Sequence, residues 1–433
     1  MSWKSAGTVQ ISLVHAAGPR HAISPADAER WLLAREPLGM HFGLERMEQL
    51  MRELGDPQRA FRSVHVVGTN GKSSTVRMTA AILRRHGLRV GAYLSPHLRS
   101  FAERIEVDEQ AIGEQEFAAA VARVAQAAAR VDAERHPEDR VTQFEALTAA
   151  AYAAFADHDV EVAVVEAGLG GRLDATSVIA SEVQVLTSIA LEHTALLGDT
   201  HVEIAGEKLA VVRDGGTLVL GATLPADVEA LADEVAAAHG ARVVRAGAEP
   251  SAEPSARGGF QRRNFALAEA AAEAFHGELD GDAVRDAAAA VRTPGRLETL
   301  DRAPLTLLDA AHNAHGVAAL LEALPDVLER EGGSAPDAGE RLVAVVSILS
   351  DKDADAMLTT LLPRCAALVA TGNSSPRARD PRELARRVEA LGGPPVTVEP
   401  DPHAALEAAR ALAGEDGVVL ATGSICLVGD LLR

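Results

Sequence analysis

A glycine-rich segment with one lysine and several hydroxyl residues occupies Gly68–Thr75. Its sequence, Gly-Thr-Asn-Gly-Lys-Ser-Ser-Thr, follows the β-branched run 63–67 and precedes apolar residues that recur with helical spacing. In such a strand–loop–helix unit, backbone N–H groups at the helix start point at an anion, and Lys72 adds its charge to the terminal phosphates. Val66 stands where the common phosphate-loop pattern has its first glycine. The segment predicts a nucleotide-phosphate site, with a simple turn as the alternative.

Three potential metal ligands stand just beyond the ends of other predicted strands: Ser95, Glu166 and His193. Open parallel sheets keep their ligand crevice at the carboxyl ends of the strands, so these side chains can converge there. Mg²⁺ prefers hard oxygen ligands, keeps several waters and tolerates an imidazole. Taken singly, the residues have ordinary interpretations: a turn cap for Ser95, a solvated charge for Glu166 and a hydrogen-bonded loop residue for His193.

A second group of polar residues lies in the C-terminal third of the chain. Arg296 offers a planar guanidinium for phosphate, Asp309 could accept ribose hydroxyls, and His312 stands at a predicted helix start where it could approach a phosphate. The alternatives are a salt bridge at a hinge for Arg296 and helix capping for Asp309 and Asn313. If a nucleotide binds at Lys72, it would bridge two domains, and closure would exclude water.

The elements that must position these residues alternate along the chain, which predicts parallel strands joined by crossover helices. We predict strands at 63–67, 88–94, 160–165, 183–188, 217–220, 304–309, 341–348, 366–371, 396–399 and 417–422. We predict helices at 73–86, 114–135, 143–158, 201–213, 225–239, 260–276 and 281–292. Segments 247–259 and 332–339 are predicted loops. Pro294-Gly295 interrupts the pattern, so we expect an N-terminal α/β domain with the phosphate loop at 1–295 and a smaller Rossmann-like α/β domain at 296–433.

Composition narrows the functional classes. The chain has 433 residues, with 42 Lys plus Arg against 62 Asp plus Glu, a net charge of −20, which argues against nucleic acid as a partner. Aromatic residues make up only 3%, so the core must be built from Ala, Val and Leu. No apolar run approaches the roughly 18 residues that cross a bilayer. With no secretory signal evident and only Cys365 and Cys426, we expect a cytoplasmic protein without disulfides or membrane contact.

Several segments, in order and with their spacing, resemble the folylpolyglutamate synthase/dihydrofolate synthase family of the Mur ligase superfamily. The segments that carry the resemblance are Gly68–Ser74, Ser95–Leu98, Glu166–Thr176, Glu192–Thr194, Ile204–Lys208, Gln261–Asn264, Pro294–Arg296 and Asp309–Asn313. Ser73 and Ala310 replace residues that are usually glycine in the family. The resemblance extends from about Leu38 to Arg433.

The resemblance implies roles for individual residues. The implied ATP-binding residues are Gly68, Thr69, Asn70, Gly71, Lys72, Ser73, Ser74, Asn264, Arg296, Asp309 and His312. The implied ligands of two Mg²⁺ ions are Ser95, Glu166, His193 and Lys208, the last as a carbamylated N6-carboxylysine. The implied catalytic residues are Lys72, His193 and Lys208. The implied contacts of the acid substrate are Gly43, Leu44, Thr142, Gln143, Phe144, Glu145, Leu173, Asp174 and Ala175. Helix capping by Thr142 and core packing by Phe144 are the alternatives for that last group.

The family resemblance implies an ATP-dependent ligase that activates a carboxylate as an acyl phosphate and couples it to L-glutamate. The implied acid is dihydropteroate, a folate glutamate tail, or both, and we expect a monomer. A peptidoglycan Mur ligase is a rival, although only 67 residues precede Gly68, fewer than its extra uridine-nucleotide domain needs. Another amide ligase of the superfamily and a non-catalytic nucleotide-binding scaffold are the remaining alternatives.

Overall fold

The chain folds into two α/β lobes, each built on its own mostly parallel sheet, as the alternating pattern predicted. The structure, a computed structural model, describes residues 23–35, 43–331 and 342–433. The first lobe carries an eight-stranded sheet and the second lobe a six-stranded sheet. Among the described residues, no helix is long and apolar enough to cross a membrane.

The phosphate-loop strand lies inside the sheet of the first lobe. The strands are β1 (Arg62–Val67), β2 (Val90–Tyr93), β3 (Ile105–Val107), β4 (Gln110–Ala111), β5 (Val162–Glu166), β6 (Val183–Leu186), β7 (Thr217–Leu220) and β8 (Arg242–Arg245). They lie in the order β4-β3-β2-β5-β1-β6-β7-β8, and only the β2–β3 and β3–β4 pairs are antiparallel. Because β1 lies between β5 and β6, the loops after these three strands meet at one edge of the sheet.

Helices cover both faces of this sheet. They are α1 (Pro25–Leu33), α2 (Glu45–Glu53), α3 (Lys72–Arg85), α4 (Glu114–Ala133), α5 (Gln143–Asp157), α6 (Thr194–Leu197), α7 (His201–Leu209), α8 (Ala226–Ala238), α9 (Gly259–His276) and α10 (Gly281–Ala290). Strand β5 shows how both faces are filled. Val162 and Val164 pack with α3 and α9, while Ala163 and Val165 pack with α4 and α5. This two-sided burial explains its continuous apolar sequence.

The second lobe repeats this layering around a smaller sheet. Its elements are β9 (Glu298–Arg302), β10 (Leu305–Leu308), α11 (Ala314–Arg330), β11 (Leu342–Val346), α12 (Ala354–Leu361), β12 (Ala367–Ala370), α13 (Pro381–Ala390), β13 (Val396–Val398), α14 (Pro402–Ala413), β14 (Val418–Thr422) and α15 (Ile425–Leu431). The order is β13-β12-β11-β14-β10-β9, with β9 antiparallel to β10.

The structure adds elements that the pattern did not predict, among them α1, α2, β3, β4, α6, β8 and β9. It also ends α7 at Leu209, where the prediction continued to residue 213. The predicted loop 332–339 lies outside the described residues. Strand β8 is the last strand of the first sheet along the chain, and β9 is the first strand of the second sheet. The domain boundary predicted near residue 295 stays a prediction.

Candidate active site

The phosphate loop is anchored to the loop that follows β6. Thr187 Oγ1 and Ser188 Oγ donate hydrogen bonds of 2.7 and 3.0 Å to the carbonyl oxygen of Asn70. Gly68 has φ +150°, and a Cβ there would lie 1.9 Å from Thr187 Oγ1, so a larger residue would displace this contact. Lys72 begins α3, and its Nζ donates to the carbonyl oxygens of Gly68 and Thr69, both at 3.0 Å. The ammonium group therefore lies over the loop that would hold the phosphates.

Glu166 ends β5 and connects two other predicted site residues. Its carboxylate accepts hydrogen bonds from the backbone N–H of Ser95 and the hydroxyl of Ser73, both at 3.0 Å. The residue is buried, and burial raises the pKa of its carboxyl group against the opposing charge of Lys72. A divalent cation would offset that cost of burial, because it stabilises the ionised carboxylate.

His193 lies in the loop after β6 and lines the same site. It has φ +52° and directly precedes α6. Burial, with Lys352 nearby, lowers the pKa of its imidazole to about 4. The ring is therefore neutral near pH 7, as a metal ligand requires.

These donors fit a magnesium-like ion. Among the described residues, no group of three or more His, Cys, Asp or Glu side chains could hold a metal alone. A carboxylate, a hydroxyl and a neutral imidazole would instead share the ion with phosphate oxygens and water, which is the usual arrangement for Mg²⁺ in nucleotide enzymes.

Lys208, on α7, reaches the phosphate loop from the side. It is buried, and its Nζ donates a 2.9 Å hydrogen bond to the carbonyl oxygen of Gly68. Burial, with the neighbouring charge of Lys72, lowers the pKa of its amine to about 7. From the sequence alone it reads as a surface lysine, and the structure shows that it is not one.

The second lobe contributes Arg296, Asp309 and His312. Asp309 follows β10, is buried, and accepts hydrogen bonds from the backbone N–H groups of Leu297 and Ala311 at 3.0 and 2.8 Å. Burial raises the pKa of this carboxyl group, while the charge of Arg296 acts in the opposite direction. His312 Nε2 lies 3.3 Å from Glu192 Oε1, so it contacts the first lobe directly.

All the predicted nucleotide and metal residues line one cavity of about 610 Å³ at the junction of the lobes. They are Gly68, Thr69, Asn70, Gly71, Lys72, Ser73, Ser74, Ser95, Glu166, His193, Lys208, Asn264, Arg296, Asp309 and His312. A cavity of this size is typical for a nucleotide-sized ligand. The structure thus brings these residues together, while the role of each stays a prediction.

The cavity has further lining residues that the sequence analysis did not single out. The polar ones among them include Thr187, Ser188, Glu192, Arg263, His315 and Glu322. Hydrogen bonds from His312 and Lys352 hold the pKa of the Glu192 carboxyl group well below its usual range, although burial acts in the opposite direction. Its position beside His193 was the one signal in the sequence that could have identified it.

The predicted contacts of the acid substrate lie outside this cavity's wall. Thr142 caps α5, and the buried Glu145 forms an ion pair with Arg46 at 3.1 Å. Asp174 is buried and accepts the N–H of Leu169 at 2.7 Å.

The remaining members of that group are spread around this region. Gln143 Nε2 donates a hydrogen bond to the carbonyl oxygen of Leu32. Ala175 is buried, whereas Leu173 is exposed. Gly43 has φ +137°, and Leu44 lines a separate cleft. The Phe144 ring packs against Gly168, which lines the cavity. Phe144 is therefore a predicted substrate contact that packs directly behind the cavity wall.

Comparison with known proteins identifies the family. Residues 295–425 match the family model described as Mur ligase, glutamate ligase domain. The chain is 38% identical over 390 residues to the dihydrofolate synthase/folylpolyglutamate synthase of Mycobacterium tuberculosis, covering 81% of this chain and 78% of that protein.

Two solved structures are similar over nearly the whole chain. Mycobacterium tuberculosis folylpolyglutamate synthase complexed with ADP has a TM-score of 0.85 and 34% identity, covering 94% of this chain and 97% of that one. A bifunctional folylpolyglutamate synthase/dihydrofolate synthase with Mn, AMPPNP and L-glutamate bound has a TM-score of 0.80 and 30% identity, covering 95% of this chain and 98% of that one. The chain belongs to the dihydrofolate synthase/folylpolyglutamate synthase family of ATP-dependent ligases.

Proposed function

We propose that the chain joins L-glutamate to dihydropteroate, to the γ-carboxyl group of a folate glutamate tail, or to both. The observation that carries the proposal is the single cavity in which the phosphate loop and the Ser95–Glu166 pair face Arg296 and Asp309 of the second lobe. The names of the relatives and the nucleotides bound to them support the same activity.

The proposed chemistry follows from the poor reactivity of a carboxylate, whose leaving group would be oxide. The acid oxygen attacks the γ-phosphorus of ATP, the bond to ADP breaks, and an acyl phosphate forms. The amine of glutamate then attacks the acyl carbon, loses a proton, and phosphate leaves from the tetrahedral intermediate. Lys72 and Arg296 neutralise the charge that develops on the transferred group. The route needs no nucleophilic side chain.

Two bound Mg²⁺ ions are part of the proposal. Ser95, Glu166 and His193 would hold them, together with Lys208 as an N6-carboxylysine. The ions would supply charge neutralisation on the phosphate oxygens. The lowered pKa of Lys208 supports the carbamate, because only a neutral amine adds CO₂.

We propose that the acid binds beside the wall formed by Phe144 and Gly168. The ring of Phe144 packs on Gly168 and lies 6.2 Å from that of Tyr93, so it offers an apolar face next to the cavity. Thr142 and Glu145 support this wall by fixing the start of α5. We further propose a cytoplasmic monomer that acts on small molecules, and the nucleotides and L-glutamate bound in the related structures support the small-molecule substrates.

A product assay tests the function. Purified protein with ATP, Mg²⁺ and glutamate would receive dihydropteroate, folate monoglutamate or folate diglutamate separately, with phosphate release and product mass measured. We expect acid-dependent phosphate release and one added glutamate with at least one acid, and the product pattern decides between one activity and two. Lys72→Ala gives the background. Phosphate release at that background with every acid would favour the non-catalytic scaffold.

A further inference from the structure

A partly buried ion pair joins the two lobes at the edge of the nucleotide cavity. Glu192 follows β6 in the first lobe, whereas His312 and Lys352 follow β10 and β11 in the second. Glu192 Oε1 lies 2.7 Å from Lys352 Nζ and 3.3 Å from His312 Nε2. We call these three residues the inter-lobe cluster.

Within the inter-lobe cluster, the two oppositely charged side chains Glu192 and Lys352 are largely shielded from water. The side chains of Glu192 and Lys352 are only 11% and 10% exposed. Exposed ion pairs contribute little, but removing one partner of a shielded pair leaves an uncompensated charge and is strongly unfavourable. The contact between the lobes therefore depends on both charges being present.

Lys352 lies behind the cavity wall and contacts a residue that forms it. Glu192 and His312 line the cavity and Lys352 does not, so Lys352 contacts the cavity wall through its ion pair with Glu192. Glu192 also directly precedes His193. Through Glu192, Lys352 is thus connected both to the loop that carries the predicted metal ligand His193 and to the loop that carries His312.

A second contact joins the lobes at the phosphate loop. Asn70 and Asn313 exchange side-chain amide hydrogen bonds of 3.2 and 3.0 Å. Asn313 also caps α11, accepting the N–H of Gly316 at 2.7 Å. The second lobe therefore contacts the first at the phosphate loop through this amide pair and at the loop after β6 through the inter-lobe cluster.

We propose that Lys352 is a positioning residue that, through Glu192, preorganises the two lobes for nucleotide binding. The inference rests on the proposed nucleotide site. A protein whose binding-competent arrangement is only partly populated binds its ligand more weakly by that fraction. Loss of Lys352 should therefore weaken nucleotide binding, while saturating nucleotide should still drive the lobes together.

The test compares Lys352→Met with Lys352→Arg, which keeps the charge. We expect Lys352→Met to weaken ADP binding in calorimetry and raise the KM for ATP by about tenfold, with kcat within about twofold of wild type. Lys352→Arg should recover most of the affinity. The matched control is Arg387→Met, which breaks an ion pair with Asp355 inside the second lobe, both distances being 2.8 Å.

A double variant separates the loss of the inter-lobe contact from misfolding caused by an unpaired charge. Glu192→Gln with Lys352→Met leaves no unpaired charge and should still weaken ADP binding relative to wild type, though no more than Lys352→Met alone, because both variants lack the inter-lobe ion pair. If wild type binds ADP and Lys352→Met binds it equally well, or only the melting temperature falls as in Arg387→Met, the positioning role is wrong. Failure of wild type to bind ADP would instead overturn the proposed nucleotide site.

Discussion

Two lysine side chains share one acceptor in the site. Lys72 Nζ and Lys208 Nζ lie 3.0 and 2.9 Å from the carbonyl oxygen of Gly68. Burial of Lys208 and repulsion by Lys72 both favour the neutral amine, which is why the pKa of Lys208 falls to about 7. Conversion of Lys208 to a carbamate would replace this repulsion by attraction and add an oxygen ligand at the cavity.

Protein equilibrated with ¹³C-bicarbonate should show a carbamate ¹³C resonance that the Lys208→Arg variant lacks. Because carbamate formation needs the neutral amine, the resonance should grow as pH rises through about 7. Lys208→Ala should lower kcat by about 10- to 100-fold, the range found when supports of a metal site are removed. Normal activity of Lys208→Ala, together with no resonance in wild type, would discard the carbamate.

Lys72→Ala should lower kcat by at least about 10²-fold, since a charge aimed at the reacting phosphoryl group is lost. The melting temperature should change little, because Lys72 Nζ contacts only two loop carbonyl oxygens. Steady-state phosphate release and thermal melting measure the two effects. Arg84→Ala, in the last turn of the same helix, is the control. A near-normal kcat for Lys72→Ala would remove its assigned role.

Much of the candidate site follows from the sequence because parallel strands end at a common edge. Residues after β1, β5 and β6 had to meet, and Lys72, Glu166 and His193 do line one cavity. The partner of Glu192 could not be predicted, because Lys352 is 160 positions away on the other lobe. Such a pairing depends on how the lobes dock, which no local pattern records.

At the scale of elements, the start of α3 determines whether a phosphate can approach. Gly71 is the N-cap of α3, with φ +88°. A Cβ at this position would lie 2.6 Å from Asn264 Oδ1 on α9. A side chain here would both strain the backbone and push Asn264 from the cavity wall.

Gly71→Ala should raise the KM for ATP by at least about tenfold, because the helix start and Asn264 both shift. Gly87→Ala is a matched control at the other end of α3, where φ is +86° and a Cβ would meet nothing within 4 Å. That variant should lose about 1–2 kcal/mol of stability from left-handed strain, with KM unchanged. Denaturant melts and ATP titrations separate the outcomes. Equal KM values in both variants would contradict the role of the loop.

The elements that the sequence analysis missed have short or exposed sequences. Strand β8 is an edge strand of four residues with arginine at both ends, and β9 is largely exposed. The β3–β4 hairpin turns through Asp108 and Glu109, with φ +50° and +67°, instead of the glycine that signals such turns. In contrast, buried parallel strands such as β5 and β11 were evident because both faces must be apolar.

For the whole molecule, the acidic balance is compatible with an anionic ligand because individual cations face the cavity at the lobe junction. The net charge is −20, yet Lys72, Arg263 and Arg296 line the cavity beside its carboxylates. Long-range attraction therefore contributes little, and short-range contacts must hold the phosphates. Two lobes that meet at this cavity can also exclude water once the nucleotide binds.

A buried histidine in the phosphate-loop strand links the stability of the molecule to pH. His65, on β1, is fully buried, and its Nε2 lies 2.8 Å from Thr176 Oγ1, whose hydroxyl donates to Asp174. Nε2 is therefore the protonated nitrogen of the neutral ring, since Thr176 Oγ1 must accept. Burial, with Arg213 nearby, lowers the pKa of His65 to about 3 from its usual value of about 6.5.

Because the folded-state pKa is depressed, His65 contributes stability that is present above about 6.5 and lost as pH falls toward 3. Between pH 6.5 and 5, His65 becomes protonated in the unfolded chain but stays neutral in the folded chain. His65→Gln should therefore reduce the slope of unfolding free energy against pH by up to about 1.4 kcal/mol per unit.

Thr176→Val is the control for this effect, since it keeps the imidazole and removes its partner. It should lower stability by about 1–3 kcal/mol in this window. The contribution of His65 to the slope should remain, while loss of the hydrogen bond to Asp174 raises the pKa of that buried carboxyl group and adds its own pH dependence. Denaturant melts at closely spaced pH values measure both variants. If His65→Gln keeps the wild-type slope, His65 accepts a proton in the folded state, and the phosphate-loop strand is more open to water than its burial indicates.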